Sequence, residues 1–242
     1  MGEMHESATI RSWAEWFERR AQHYDNPLMK MAYYVEGHPI PIEVMQATIE
    51  DVWGKLRATS QSSVLDVGGG VGLFSQVFRP WLRSLIGTDI SFSMIRDAYR
   101  LNPEGTFLVC EAATLPFVSC RFDRLLCYSV FHYLSDLSHA RKALNEFVRV
   151  VKNGGLILVG DVPFTQHMQS IEQKSSCALP IDKPVHYPAS LWHTLKHMTY
   201  EERFFVEFCT AEGHRCEVLT QDIKGRASSS YRFDILIEVA KS

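Results

Sequence analysis

Val64-Leu65-Asp66-Val67-Gly68-Gly69-Gly70-Val71-Gly72-Leu73 is a short apolar run broken by one acid, then a cluster of glycines. From Leu73 to Leu82 the apolar residues recur at helical spacing. The run predicts a buried strand, and the segment after the glycines predicts a helix. Glycines let the chain turn tightly and let a ligand lie against bare main chain. In an open parallel sheet, ligands bind outside the carboxyl ends of the strands, where this turn would sit.

Working outward, Ser84 to Asp89 predicts a second strand, with a helix following through Arg100. Asp89 ends that strand 21 residues after Gly68, where a carboxylate can accept both ribose hydroxyls. Thr106–Cys110, Phe122–Tyr128 and Leu156–Gly160 read as further strands. Leu137, Ala140, Leu144, Phe147, Val148 and Val151 share one helical face, and Asn153-Gly154-Gly155 predicts that helix's end. Thr199-x-x-Glu202 reads as a capping box opening a helix to about Glu212. His214–Thr220 and Phe233–Val239 are too close in sequence for a parallel crossover and predict an antiparallel edge. The expected fold is α/β: a doubly wound, Rossmann-like sheet of seven strands, mostly parallel with an antiparallel edge strand.

On the amino-terminal side, Trp13, Trp16, Phe17 and Tyr24 recur at helical spacing, as do Ile42, Met45, Ile49, Val52, Trp53 and Leu56. Met29 to Pro41, between them, reads as an irregular connection. The expected division is a helical cap over 1–58 and a sheet domain over 59–242. The second carries an insertion at 163–198 with four prolines and four histidines. Long irregular stretches of this kind are commonly functional. The insertion and the 24–41 connection are expected to form an acceptor pocket over the strand ends.

The 242 residues carry a net charge of −3, with 46% hydrophobic and 22% charged residues. That excludes a disordered or fibrous chain and leaves no basic field for nucleic acid or an anionic membrane. No apolar run approaches the ~20 residues that span a bilayer. The six cysteines form no C-x-x-C pair. With no signal-like start, they are read as reduced, in a cytoplasmic chain.

The glycine turn discriminates among nucleotides. A dinucleotide fingerprint needs glycine at position 73, which holds Leu73, and a P-loop needs a Gly-Lys-Ser/Thr ending that is absent. Asp66 at the mouth of the turn suits a cationic ligand better than a pyrophosphate.

Asp66-x-Gly68-x-Gly70-x-Gly72, Asp89 and the helix–Asn153-Gly154-Gly155–strand block together resemble the class I S-adenosylmethionine-dependent methyltransferases, nearest their small-molecule branch. The resemblance implies S-adenosyl-L-methionine as cofactor and S-adenosyl-L-homocysteine as product. It implies that Asp66 and the Gly68–Gly72 turn hold the methionine part, that Asp89 holds the ribose, and that Ile90 and Met94 cover the adenine. Glu111 would accept from the adenine amino group and Ala112 would donate through its backbone. Tyr24 and Tyr33 or Tyr34 fall where relatives place cap residues, with Arg20. Ser129, in the loop after the fourth strand, would touch the methionine moiety.

Tyr128 to Leu134 lacks the Asp/Asn-Pro-Pro motif of exocyclic-amine DNA enzymes, and no proline there precedes a cysteine as in cytosine-C5 enzymes. Tyr128 and Ser129 do not supply the acid that a metal-dependent enzyme needs at this place; His167, His186, His193 and His197 are mostly spread over a loop without ligand spacing, and His193 and His197 lie four apart with no nearby acid. No metal is expected. If the acceptor must lose a proton, His132 is the expected base. Trp13, Trp16 and Phe17 are read as packing. The expected activity is metal-independent O-, N- or C-methylation of a small molecule by a monomer or homodimer. The alternatives are a non-catalytic adenosylmethionine-binding module and, against Leu73, a nicotinamide oxidoreductase.

Overall fold

The computed structural model describes residues 2–166, 195 and 197–240, with side chains from residue 10 onward. The chain opens with α1 (Gly2–His23), α2 (Pro27–Lys30), a hairpin of β1 (Tyr34–Val35) and β2 (His38–Pro39), and α3 (Ile42–Leu56). Then come β3 (Ser63–Val67), α4 (Leu73–Phe78), β4 (Ser84–Asp89), α5 (Phe92–Leu101), β5 (Thr106–Val109), β6 (Phe122–Tyr128), α6 (Leu137–Val150) and β7 (Val151–Pro163). The described chain closes with α7 (Glu202–Glu212), β8 (Arg215–Thr220) and β9 (Arg232–Glu238).

Seven strands form one sheet in the order β5-β4-β3-β6-β7-β9-β8. β3 pairs in parallel with β4 and β6, and β9 runs antiparallel to both β7 and β8. Every residue of β3 is buried, as a strand covered on both faces requires. Successive residues of the central strands feed opposite cores. Leu125, Ile157 and Ile235 pack with Leu144 and Phe147 of α6 and Phe205 and Phe208 of α7. Leu126, Leu158 and Leu236 pack with Met45, Val52 and Leu56 of α3 and Phe74 and Phe78 of α4. The period of two along each strand produces this division. From β3 the chain winds outward to β5 and then returns to β6 on the other side of β3. The crevice at that reversal is where such sheets take ligands.

Four local expectations differ from the structure. The helix from Leu73 stops at Phe78 and tightens into a 3-10 turn over Arg79–Trp81, because Pro80 has no N–H to continue it. α6 ends at Val150 and Val151 is already extended, so Asn153-Gly154-Gly155 lies within β7. There Gly154 turns at φ +72° beside a register shift opposite Phe122–Arg124, a strand irregularity and not a helix cap. The capping box does not form: α7 begins behind Glu201 with no side-chain cap, and the Thr199 hydroxyl pairs with that of Thr165 at 3.1 Å. The connection 29–41 is ordered structure. Asn26 accepts from the Leu28 and Met29 N–H groups to start α2. Glu36 and Gly37, both at positive φ, make the turn between β1 and β2. Of the insertion, residues 167–194 lie outside the described residues, and with them His167, His186, Tyr187, Trp192 and His193.

Candidate active site

The turn from β3 into α4 is built around a buried carboxylate. Gly68, Gly70 and Gly72 turn at φ +71°, +56° and +77°. A Cβ on Gly70 would come within 2.9 Å of the Met31 methyl, and one on Gly69 within 2.6 Å of an Asp66 carboxylate oxygen. Asp66 therefore sits directly behind the turn, accepting from the Ser75 hydroxyl at 3.0 Å. Burial pushes its pKa up to about 7.

Asp89 closes the other side. One oxygen accepts from the Gly70 N–H at 2.9 Å, the other from the Ser91 N–H at 2.9 Å. Burial raises its pKa to about 6 against these two bonds. Ser91 then caps α5 through the Met94 N–H at 3.2 Å, which brings Ile90 and Met94 onto the same wall. α1 is fastened here: Glu18 accepts from the Ser91 hydroxyl at 2.7 Å, the Ser93 N–H at 2.9 Å and the Ser93 hydroxyl. Lys30 pairs with Asp97 on the same helix.

Beyond β5, Glu111 is held at both oxygens, by His139 Nε2 at 2.8 Å and by the Ala113 N–H at 2.9 Å. Beyond β6, Ser129 adopts φ +59° and its hydroxyl donates to Asp161, itself at φ +60° in β7. Two non-glycine residues in the left-handed region on neighbouring strands are a strained arrangement of the kind found at functional sites. The Tyr33 ring lies 5.6 Å from the Arg226 guanidinium, and burial pushes its hydroxyl up to about 12.

These elements enclose a cavity of about 100 Å³ at the sheet reversal. Of the residues singled out in the sequence, Tyr33, Gly68, Gly70, Asp89, Ile90, Met94, Glu111, Ala112 and Ser129 line it together. Asp66 and Gly72 support the turn from outside the wall. Tyr24 is also off the wall: its ring stacks on Arg20 at 4.7 Å, and Arg20 lies equally over Trp16 and Tyr34 at 4.8 Å. His132 is buried and off the wall as well. Its Nδ1 faces Arg232 Nη1 at 3.4 Å, and burial together with Arg232 holds it neutral, far below the usual imidazole range.

The wall also contains residues that the sequence reading assigned to packing or to the acceptor side. Trp13 and Phe17, expected as packing, line the cavity with Ile10 from the same face of α1. The spacing 10, 13, 17 is one helical stripe, which does not tell core from cavity. Met31, at the end of α2, Tyr133 and Leu134, after β6, and His139, in α6, also line it.

Residues 65–159 match the family model described as a methyltransferase domain. The ubiquinone/menaquinone biosynthesis C-methyltransferase UbiE of Bordetella parapertussis is 35% identical over 134 residues, covering 48% of this chain and 49% of that protein. The malonyl-[acyl-carrier protein] O-methyltransferase of Hamiltonella defensa is 30% identical over 128 residues, 52% of this chain and 46% of that one. The chain thus spans about half the length of these curated relatives. In fold it resembles phosphoethanolamine N-methyltransferase 1 of Haemonchus contortus, solved with phosphoethanolamine and S-adenosylhomocysteine. That likeness has a TM-score of 0.72 at 13% identity, over 98% of this chain and 50% of that one. No described helix is long and apolar enough to cross a membrane.

Proposed function

We propose that the chain is a class I S-adenosylmethionine-dependent methyltransferase, which methylates a small-molecule acceptor with S-adenosylmethionine and releases S-adenosylhomocysteine; the methyltransferase-domain match over residues 65–159 supports this reading. Asp89 carries this reading. It is anchored by the Gly70 N–H at the sheet reversal and faces the cavity, where a ribose would meet it.

The rest of the wall fits the same ligand. Ile90 and Met94 offer an apolar slot for adenine, with Glu111 and the Ala112 backbone at its edge. Glu111 is longer than the usual aspartate, and its bonds to His139 and Ala113 fix where its oxygens lie. The turn at Gly68–Gly70 presents bare backbone to the methionine part, and Asp66 supports it from behind. Bound there, adenosylmethionine supplies a methyl group on an already activated sulfonium. The chain's task is to place an acceptor atom ~3–3.5 Å from that carbon and exclude water. Trp13, Phe17 and Tyr133, which line the cavity as one aromatic group with the Tyr133 ring centre 4.7 Å from Trp13 and 4.9 Å from Phe17, would perform the exclusion. A neutral His132 is in the protonation state a base requires, but its ring lies behind Tyr133, with ring centres 4.0 Å apart. Tyr133 is the residue an acceptor would touch directly. No metal takes part in this reading.

Calorimetry with adenosylmethionine and adenosylhomocysteine tests it: both should bind in the micromolar range or tighter. Acceptor-dependent release of adenosylhomocysteine should follow. Folded protein that binds neither ligand would end this reading.

A further inference from the structure

Glu111 reaches the cavity on a side chain with one more rotatable bond than an aspartate, so its carboxyl group would sample several positions if nothing held it. The protein holds it from two sides. Oε2 accepts from the Ala113 N–H at 2.9 Å, which curls the side chain back over its own loop. Oε1 lies 2.8 Å from Nε2 of His139, a residue of α6 that is 28 positions further along the chain. Glu111 and His139 both line the cavity, together with Ala112 and Leu134.

What His139 does there is decided at the other edge of its ring. The Ser135 N–H donates to Nδ1 at 3.3 Å. A ring nitrogen that accepts from a backbone N–H carries no proton itself, so the ring's proton sits on Nε2 and is donated to Glu111. The residue is anchored as well. Asp136, the cap of α6, accepts from the His139 N–H at 2.9 Å, and the imidazole is 2% exposed. Hydrogen bonds thus run in one direction, from the Ser135 N–H through the imidazole to Oε1. With both oxygens already accepting, Glu111 offers the cavity its remaining lone pairs and no donor.

Resting on the methyltransferase reading, we propose that His139 is a positioning residue that sets the base specificity of the cofactor site. By holding Glu111 as an oriented acceptor, it makes the site take adenine, whose 6-position is an amino donor, and refuse a purine with a carbonyl there, such as hypoxanthine. The carbonyl would set two acceptors face to face, and a mismatch of that kind discriminates more strongly than a missing apolar contact. Asp89, Ile90 and Met94 do not make this distinction, because both purines carry the same ribose and present similar ring faces. The Ala112 N–H, expected at N1, adds to the discrimination without depending on His139.

Calorimetry tests this by comparing S-adenosylhomocysteine with S-inosylhomocysteine, the same compound with the 6-amino group replaced by a carbonyl. The wild type should prefer the adenine compound by about 30-fold or more, as expected for an unpaired buried polar group. In His139→Asn the amide reaches only the Nδ1 position, and the preference should fall by about fivefold or more. In His139→Gln the amide nitrogen reaches the Nε2 position and donates to Glu111, so the preference should stay within about threefold of the wild type. Added to Glu111→Gln, His139→Asn should change the preference by less than about twofold, because the two residues act as one unit. A merely structural His139 would weaken both ligands equally, with Gln no better than Asn. A wild-type preference below about fivefold, an unchanged preference in His139→Asn, or no recovery in His139→Gln each overturns the proposal. Should the variants not fold, the wild-type preference and nitrogen NMR of the His139 ring decide: the proton must sit on Nε2 with adenosylhomocysteine bound, and a proton on Nδ1 overturns the proposal. Failure of adenosylhomocysteine to bind overturns the methyltransferase reading first; binding without discrimination overturns this inference alone.

Discussion

At the residue scale, two buried aspartates on either side of one turn have different tasks. Asp89 faces the cavity, and its ionised form is the one that accepts from ribose hydroxyls. Asp89→Asn should weaken adenosylhomocysteine binding about 10- to 100-fold, as expected for losing charge-assisted bonds of about 1.5–3 kcal/mol. Glu111→Gln should cost less, because an adenine contact involves one bond. With Asp89 pushed up to about 6, affinity should fall as pH drops below 6, and the Asn variant should show no such fall. Calorimetry at pH 5, 6 and 7.5 reads both effects. Asp66 makes no cavity contact, and its signature is stability. Its folded pKa of about 7 lies above the ordinary 3.8, so the folded state holds the proton more tightly. That contribution is full below about 4 and is lost as pH rises towards 7. Urea midpoints at pH 5 and 8 should converge in Asp66→Asn relative to the wild type. Gly68 and Gly70 were legible in the sequence because a turn at positive φ favours glycine, and Asp66 and Asp89 because each is an acid within or at the end of an apolar strand run beside that turn. His132 and Tyr133 were not, because which of two adjacent aromatic side chains faces a cavity depends on the 3-10 turn they occupy.

At the element scale, the structure joins α1 to the site through the first turn of α5. Glu18 satisfies the Ser93 N–H there, a service usually rendered by a local cap and worth about 1–2 kcal/mol. Glu18→Ala should raise amide exchange across residues 10–23 and weaken cofactor binding while the exchange of α6 stays as it was. Unchanged exchange in α1 would show that packing of Ala21 against Val71 and Met94 holds the helix without the carboxylate. No sequence pattern announces this bond, since Glu18 and Ser93 are 75 residues apart. The failed capping box at Thr199 has the same origin. A neighbour on another element, Thr165, takes the hydroxyl that local spacing offered to α7.

At the scale of the whole molecule, the central strands place one core on each face of the sheet and the ligand crevice at its reversal. Damage to a core should therefore lower stability without altering the site. Phe147→Ala, in a fully buried position that does not line the cavity, should cost about 3–5 kcal/mol. Thermal unfolding should move down by roughly 6–20 °C for a domain of this size. Adenosylhomocysteine affinity should stay within about twofold. A larger loss of affinity would mean that the two cores are coupled through β6 and β7.

By itself the sequence determined the strand–turn–helix units, the seven-stranded α/β sheet, the antiparallel edge and the position of the glycine turn with Asp89. Those follow from short-range rules: the period of a strand, the backbone freedom of glycine and the length a crossover needs. The tertiary structure alone decided which side chains face the cavity. It turned the Ile10–Trp13–Phe17 stripe of α1 inward over the crevice and withdrew Tyr24 onto Arg20. It also gathered His132, Asp161 and the stretch from Arg226 to Arg232 into one buried cluster. The physical reason is that ion pairing and wall membership depend on neighbours brought together by the fold, and local periodicity carries no information about those neighbours.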